Sequence, residues 1–175
     1  MLIERVTKSI EQESALKVKY FEKIFKETSG TIFDKLSFSI SELNENKSVL
    51  ITKNMAWLEK YISNKLYLYD PVCDWEDNAT YYLKNSAKIA TEFIDIERIH
   101  DNKNGNMFRD IRRSFKIESG GVSVTYFNGT VLFVGWWSSQ KCVKDYYSHE
   151  NRKISENIIK DILSIYCEEK GEILA

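Results

Sequence analysis

The order of helical and strand patterns along the chain predicts an α+β fold, an α/β/α sandwich with one mostly antiparallel sheet of about five strands and helices on both faces. Three observations carry this prediction. Residues 1–28 and 148–168 repeat apolar side chains at a helical period, which places a helix near each end. Residues 36–42 alternate apolar and serine side chains, as a half-buried strand does. Asn128 and Gly129 separate two β-rich runs, which is typical of a hairpin turn.

The elements between these landmarks follow in order. A turn at residues 44–46 leads to a returning strand from Val49, and a helix is predicted over residues 54–65. An extended approach through residues 66–69 ends at Pro71. Residues 78–99 are predicted to be mainly helical, residues 101–105 to form a loop and residues 106–116 to form a basic helix.

The late hairpin carries the strongest local signal, because a two-residue turn also determines the register of its strands. The strands are predicted over residues 121–127 and 130–136, with apolar groups on both sides. The expected pairs are Tyr126 with Val131, Val124 with Phe133, Val122 with Gly135, Thr125 with Leu132 and Ser123 with Val134.

The composition is that of an ordinary globular domain. The 175 residues include 43% hydrophobic and 29% charged residues, with 7 glycines and 1 proline. Such a balance excludes a collagen-like or low-complexity chain. We therefore expect residues 1–175 to form a single domain.

The charge pattern argues against a nucleic-acid-binding role for this domain alone. There are 25 Lys and Arg residues against 26 Asp and Glu residues, and binding to a phosphate backbone depends on an excess of clustered cations. One basic ridge stands out, and we interpret it as the solvated face of a helix. Its members are Arg109, Arg112, Arg113 and Lys116.

The cysteines and the N-terminus favour a cytoplasmic location. Cys73, Cys142 and Cys167 are odd in number and far apart, so neither a disulfide framework nor a metal site is expected. The chain has no signal-peptide pattern and no apolar run long enough to cross a membrane. A Cys142–His149 pair is the one nucleophilic pair considered, and it lacks any evident activating group, so we do not expect an enzyme. We also expect no metal or other cofactor.

One motif carries chemical information: Trp57, Tyr61 and then Asp70-Pro71-Val72, spaced Trp-x3-Tyr-x8-Asp-Pro-Val. Trp57 and Tyr61 share a helix face and offer an indole N–H and a phenol beside apolar rings. A half-buried Asp70 carboxylate needs a hydrogen-bond donor, and a ligand amide would supply one. The alternative interpretation is that the aromatic residues are ordinary core and that Asp70 is a helix cap or turn residue.

This motif resembles the autoinducer-binding domain of LuxR-type quorum-sensing transcriptional regulators. The order of elements is also similar, so the resemblance extends over nearly the whole chain, although the fixed residues lie between 57 and 72. Residues 115–121 are similar to the helix-to-strand junction of the family, where a Gly-Ile-x-Ser-Gly pattern is common.

The resemblance implies a bacterial, non-enzymatic signal-sensing domain that acts in transcription regulation. It implies an acyl-homoserine lactone or related acyl ligand between the sheet and the helices. Trp57 would donate to the lactone carbonyl, Asp70 would accept the amide N–H, and Tyr61 would form the pocket wall. The acyl tail is expected among Trp57, Tyr61, Tyr69 and sheet aromatics. The expected protein partner is a second copy or a full-length regulator.

The chain departs from the family at defined positions. Lys53 replaces a Tyr that donates to the acyl carbonyl, and a Lys at the pocket mouth could favour an acidic head group. A Ser or Thr that lines the family's pocket falls near Val134, and Ser123, opposite it in the hairpin, could supply that hydroxyl. A second family Trp has no counterpart at Asn85, where Trp75 or Tyr81 could substitute.

LuxR-type regulators continue into a helix-turn-helix domain, whereas this sequence stops at Ala175. We expect no DNA-binding domain in it, either because the sequence is truncated or because the sensor stands alone. The alternative function is a ligand-free interaction module that dimerises with a regulator or binds another partner. Its binding surface would be the last helix, or whichever of Trp136 and Trp137 faces outward.

Overall fold

The computed structural model describes residues 17–43, 47–73, 78, 80, 90–95, 103–141 and 148–171. It confirms an α+β fold in which helices accompany an antiparallel sheet. The elements in chain order are α1 (Glu22–Thr28), β1 (Ser37–Glu42), β2 (Lys47–Thr52), α2 (Met55–Ser63), a 3₁₀ helix (Leu66–Leu68), β3 (Ala90–Asp95), α3 (Lys103–Ser114), β4 (Ser119–Phe127), β5 (Thr130–Ser138) and α4 (His149–Lys170).

The sheet has the strand order β2-β1-β5-β4-β3, and every neighbouring pair is antiparallel. The predicted register of the β4–β5 hairpin is confirmed at all the expected pairs, Ser123 with Val134 among them. Asn128 and Gly129 have φ angles of 46° and 76°, and a type I′ turn requires positive φ at both positions. The Asn128-Gly129 turn therefore determines the register of β4 and β5, which are adjacent strands inside the sheet.

The two faces of the sheet can be named after adjacent residues of β5, since successive side chains of a strand point to opposite sides. On the Trp136 face, α1 and α4 pack over β1, β2 and β5 through residues such as Phe21, Phe38 and Ile162. On the Trp137 face, Trp137 packs with Val72 and other apolar side chains. Trp136 and Trp137 are 0% and 6% exposed, so the idea that one of them is an exposed partner surface is wrong.

The predicted extended approach to Pro71 is wrong. Leu66–Leu68 form a 3₁₀ helix, and residues 71–73 form a helical turn. The Asp70 carboxylate accepts the Val72 N–H at 3.1 Å, as a helix N-cap does. Proline suits the first helical position because its fixed φ is helical and its missing N–H would have no partner there.

The predicted helix over residues 78–99 is partly wrong. Residues 78 and 80 are helical, but Ala90–Asp95 form β3, which pairs with β4 from Ala90–Tyr126 to Asp95–Gly121. Thr91, Phe93 and Ile94 are residue types that favour a strand. Pairing with β4 also gives hydrogen-bond partners to the backbone of β3 along the edge that faces β4. The remainder of that prediction, and the predicted helix over residues 1–16, fall outside the described residues.

The helices at the two ends of the described chain stop near the predicted positions. Helix α1 ends at a Ser29 cap. Helix α4 begins after Ser148, whose side chain accepts the Asn151 N–H, and it ends at Gly171 with φ 68°, the left-handed conformation common after a helix. Helix α3 begins at Lys103, so residues 103–105, which were predicted to lie in a loop, are helical.

Two glycines make room for the indole of Trp137 on its face of the sheet. A Cβ on Gly135 would lie 2.2 Å from Trp137 Nε1, and one on Gly120 would lie 2.6 Å from Trp137 Cε3. The same indole N–H donates to Ser37 Oγ at 2.9 Å. The ring therefore lies where any larger side chain at these positions would push it away.

Gly135→Ala is expected to lower the free energy of unfolding by about 1–3 kcal/mol, because the new methyl group must displace a buried indole. Urea unfolding followed by tryptophan fluorescence measures the change. Gly30→Ala is the matched control, since nothing lies within 4 Å of a Cβ built there. Equal stability of both variants and the wild type would show that the indole moves without cost.

Candidate functional site

Trp57 and Tyr61 lie on one face of α2, as the sequence predicts. Asn54 caps this helix by accepting the Trp57 N–H at 3.2 Å. The cap sets the residue at which the helix begins, and a helix that begins there directs both rings to the protein interior. Their ring centroids are 5.2 Å apart, and both side chains are buried with Tyr67 and Phe108. The helix therefore presents an indole and a phenol together in an apolar setting.

Asp70 joins these two residues in the same cluster. Its Oδ2 atom accepts hydrogen bonds from the Tyr61 hydroxyl at 3.0 Å and from Arg112 Nη2 at 2.8 Å. Its Oδ1 atom accepts the Val72 N–H. The carboxylate is therefore both a cap of a helical turn and the centre of a buried polar network.

Arg112 is the residue of this network that sequence reasoning missed. Its side chain is 4% exposed, and its guanidinium lies 4.8 Å, 5.3 Å and 5.8 Å from the ring centroids of Trp137, Phe108 and Trp57. The interpretation of Arg112 as part of a solvated ridge is wrong. The available signal was its helical spacing from Phe108 and Phe115, which places it within the apolar stripe of α3.

The rest of the basic ridge is more accessible. Arg113 is exposed and lies 3.8 Å from Glu118, Lys116 is exposed, and Arg109 is half-buried. The solvated-face interpretation therefore holds for Arg113 and Lys116.

Tyr61 is held in its neutral form. Burial raises the pKa of its phenol well above the ordinary value, and the nearby Asp70 carboxylate raises it further. Cys73 Sγ lies 3.5 Å from the same hydroxyl. Tyr61 therefore serves as a hydrogen-bond donor rather than as a base at neutral pH.

Lys53 and Tyr69 do not belong to this buried cluster. Lys53 is exposed at the residue before the α2 cap, and Tyr69 is 57% exposed. The 3₁₀ helix buries Leu66 and Tyr67 and leaves Leu68 and Tyr69 outward. Tyr69 therefore lies outside the buried cluster, and its expected contact with a ligand tail stays a prediction.

Ser123 and Val134 lie on the opposite side of the sheet from Trp57. Ser123 Oγ accepts the Trp136 indole N–H at 2.8 Å, and Val134 belongs to the core under α1 and α4. Their pairing was predicted correctly, but their assignment to the same pocket as Trp57 is wrong. Val122 and Trp137 point to the site side instead, because side chains alternate along each strand. Trp75, Tyr81 and Asn85 fall outside the described residues.

No protein-family model matches the chain, and no curated protein does. The likeness to LuxR-type autoinducer-binding domains therefore rests on the quoted residues and the element order alone. Among the helices that the structure describes, none has the length and apolar character needed to cross a membrane.

Proposed function

We propose that this chain is a small-molecule-sensing, non-enzymatic regulatory domain that binds an amphiphilic acyl ligand at the cluster of Trp57, Tyr61 and Asp70. One observation supports it most. Side chains from separate elements meet in one buried cluster that combines a carboxylate, a guanidinium, a phenol and an indole. Ligand sites commonly combine apolar walls with a few such polar groups.

The polar groups suit a head group with adjacent donor and acceptor atoms. A ligand N–H would donate to the Asp70 carboxylate, and a ligand carbonyl would accept from the Trp57 indole or the Arg112 guanidinium. Apolar side chains on the Trp137 face of the sheet would contact the acyl tail. An acyl-homoserine lactone has this chemistry, and a cytoplasmic dimeric sensor is the setting that the family resemblance implies.

A second candidate function is a ligand-free interaction module that dimerises with a full-length regulator. One observation favours it: Asp70 already accepts hydrogen bonds from Tyr61, Val72 and Arg112. Its burial is therefore compensated by protein groups, and no ligand is needed for that purpose.

The test is thermal unfolding together with native mass spectrometry in the presence of hexanoyl- and dodecanoyl-homoserine lactone. A ligand at 100 times its Kd adds about 2.7 kcal/mol of stability, which raises Tm by roughly 5–10 °C for a chain of this size. Trp57→Phe and Asp70→Asn are each expected to remove most of that rise. Trp136→Phe, on the opposite face, is the control and should retain it.

The outcomes separate the two candidates. A full rise in both Trp57→Phe and Asp70→Asn would refute these residues as polar anchors. No bound mass and no rise in the wild-type protein across the panel, with a stable fold, would favour the interaction module.

A further inference from the structure

A cavity of about 250 Å³ lies on the Trp136 face of the sheet, away from the Trp57 cluster. It is partly open to solvent and is bordered by the helical residues that precede α1, the end of α4, and strands β1 and β2.

The floor of this cavity is apolar. Phe21 and Ile51 are fully buried, and Ile40 and Val49 are nearly so. Ile40 and Val49 are direct partners across β1 and β2, so their side chains lie next to each other on one face. An aliphatic group that lies on this floor would take the remaining apolar surface of these side chains out of water, which favours binding.

The rim is charged but balanced. Lys170 Nζ lies 2.7 Å from Glu42 Oε1, and Lys17 pairs with Glu169. The Tyr166 hydroxyl donates to the same Glu42 oxygen at 2.9 Å. Burial raises the pKa of Tyr166 to about 12, so the hydroxyl stays protonated at neutral pH and remains a donor.

We propose that this cavity is a second binding site, for a short aliphatic molecule with a neutral amide head. An amide N–H would donate to Glu42, and its carbonyl would accept from Lys170. A carboxylate head would be repelled by Glu42 and Glu169, and an amine head by Lys17 and Lys170. The balanced rim therefore selects a neutral head that both donates and accepts.

The volume sets the length of the tail. An apolar cavity of about 150 Å³ accommodates benzene, with six heavy atoms. In proportion, this cavity accommodates about ten heavy atoms, which is the size of octanamide. Octanamide is therefore the probe. Octanoate and octylamine are the comparison ligands, because they have the same eight-carbon chain and a charged head group.

Isothermal titration and thermal unfolding of the full chain test the proposal. Octanamide is expected to bind and to raise Tm, with octanoate and octylamine at least about tenfold weaker, a difference of about 1.4 kcal/mol. Val49→Phe fills the cavity, so it should fold and lose octanamide binding. Glu42→Gln, which adds no volume, should weaken octanamide binding by about tenfold and reduce the discrimination against octanoate.

Met107→Ala, which truncates an exposed side chain of α3 on the other face of the sheet, is the control and should bind octanamide as the wild type does. Loss of octanamide binding in Trp57→Phe, with binding retained in Val49→Phe, would overturn the location. Octanoate binding as tightly as octanamide would overturn the head-group assignment. Absence of octanamide binding, or equal binding to the wild type and both cavity variants, would overturn the site. Because the lactone test uses variants on the opposite face, the two sites can fail separately.

Discussion

Replacing Arg112 with methionine is expected to lower the free energy of unfolding by about 3–5 kcal/mol, because it leaves the Asp70 carboxylate buried without its charged partner. Both side chains are 4% exposed, and the Nη2–Oδ2 distance is 2.8 Å. Methionine retains an unbranched side chain that can pack among the rings of Trp57, Phe108 and Trp137. The loss of unfolding free energy in Arg112→Met therefore measures mainly the removal of the Arg112 charge and of its hydrogen bond to Asp70.

Urea unfolding followed by circular dichroism measures this loss, and the double variant Asp70→Asn/Arg112→Met identifies its cause. Asparagine can still cap the turn at Val72 but carries no charge, so the double variant should recover most of the stability. Lys23→Met is the matched control on an exposed ion pair with Glu27, where a change below about 1 kcal/mol is expected. A similarly small change for Arg112→Met would show that Asp70 does not depend on Arg112.

The same variant bears on the proposed sensor function. If a ligand amide donates to Asp70 while the ligand carbonyl accepts from the Trp57 indole, the ligand replaces a donor that Arg112→Met has removed and loses no contact of its own. The ligand-induced rise in Tm should then be larger in Arg112→Met than in the wild type. An unchanged rise would indicate that the ligand head does not contact Asp70.

Trp136→Ala is expected to lower the free energy of unfolding by about 3–5 kcal/mol, because it opens a large cavity in the main core. The indole is completely buried and packs edge-on against Phe33 with ring centroids 5.1 Å apart. Its N–H donates to Ser123. Chemical unfolding measures the loss, and Tyr20→Ala, which truncates an exposed ring, is the control with little expected change.

Ser123→Ala separates the hydrogen bond from the packing. It leaves the Trp136 N–H buried without an acceptor, so a loss of about 1–3 kcal/mol is expected. Because Ser123 lies on the face opposite Trp57, the lactone-induced rise in Tm should persist. Disappearance of that rise with stability intact would return Ser123 to the ligand site.

Local patterns alone predicted the parts of the fold in which neighbours in the chain are neighbours in space. Asn128-Gly129 determined the register of the β4–β5 hairpin because a two-residue turn permits few alternatives. The spacing of Trp57 and Tyr61 placed both rings on one helix face. The same reasoning failed at residues 90–95, where pairing with β4 outweighed an ambiguous helical pattern.

Local patterns in the sequence therefore establish the α+β class, the central hairpin and the aromatic face of α2. The side chains that these faces contact depend on packing between elements that are far apart in the chain. Asp70 and Arg112 are 42 positions apart, and no local period relates them. Alternation shows that Ser123 and Trp137 point to opposite faces, but it cannot show which face the Trp57 helix covers. That choice depends on the packing of whole elements, and it determines which polar groups share the candidate site.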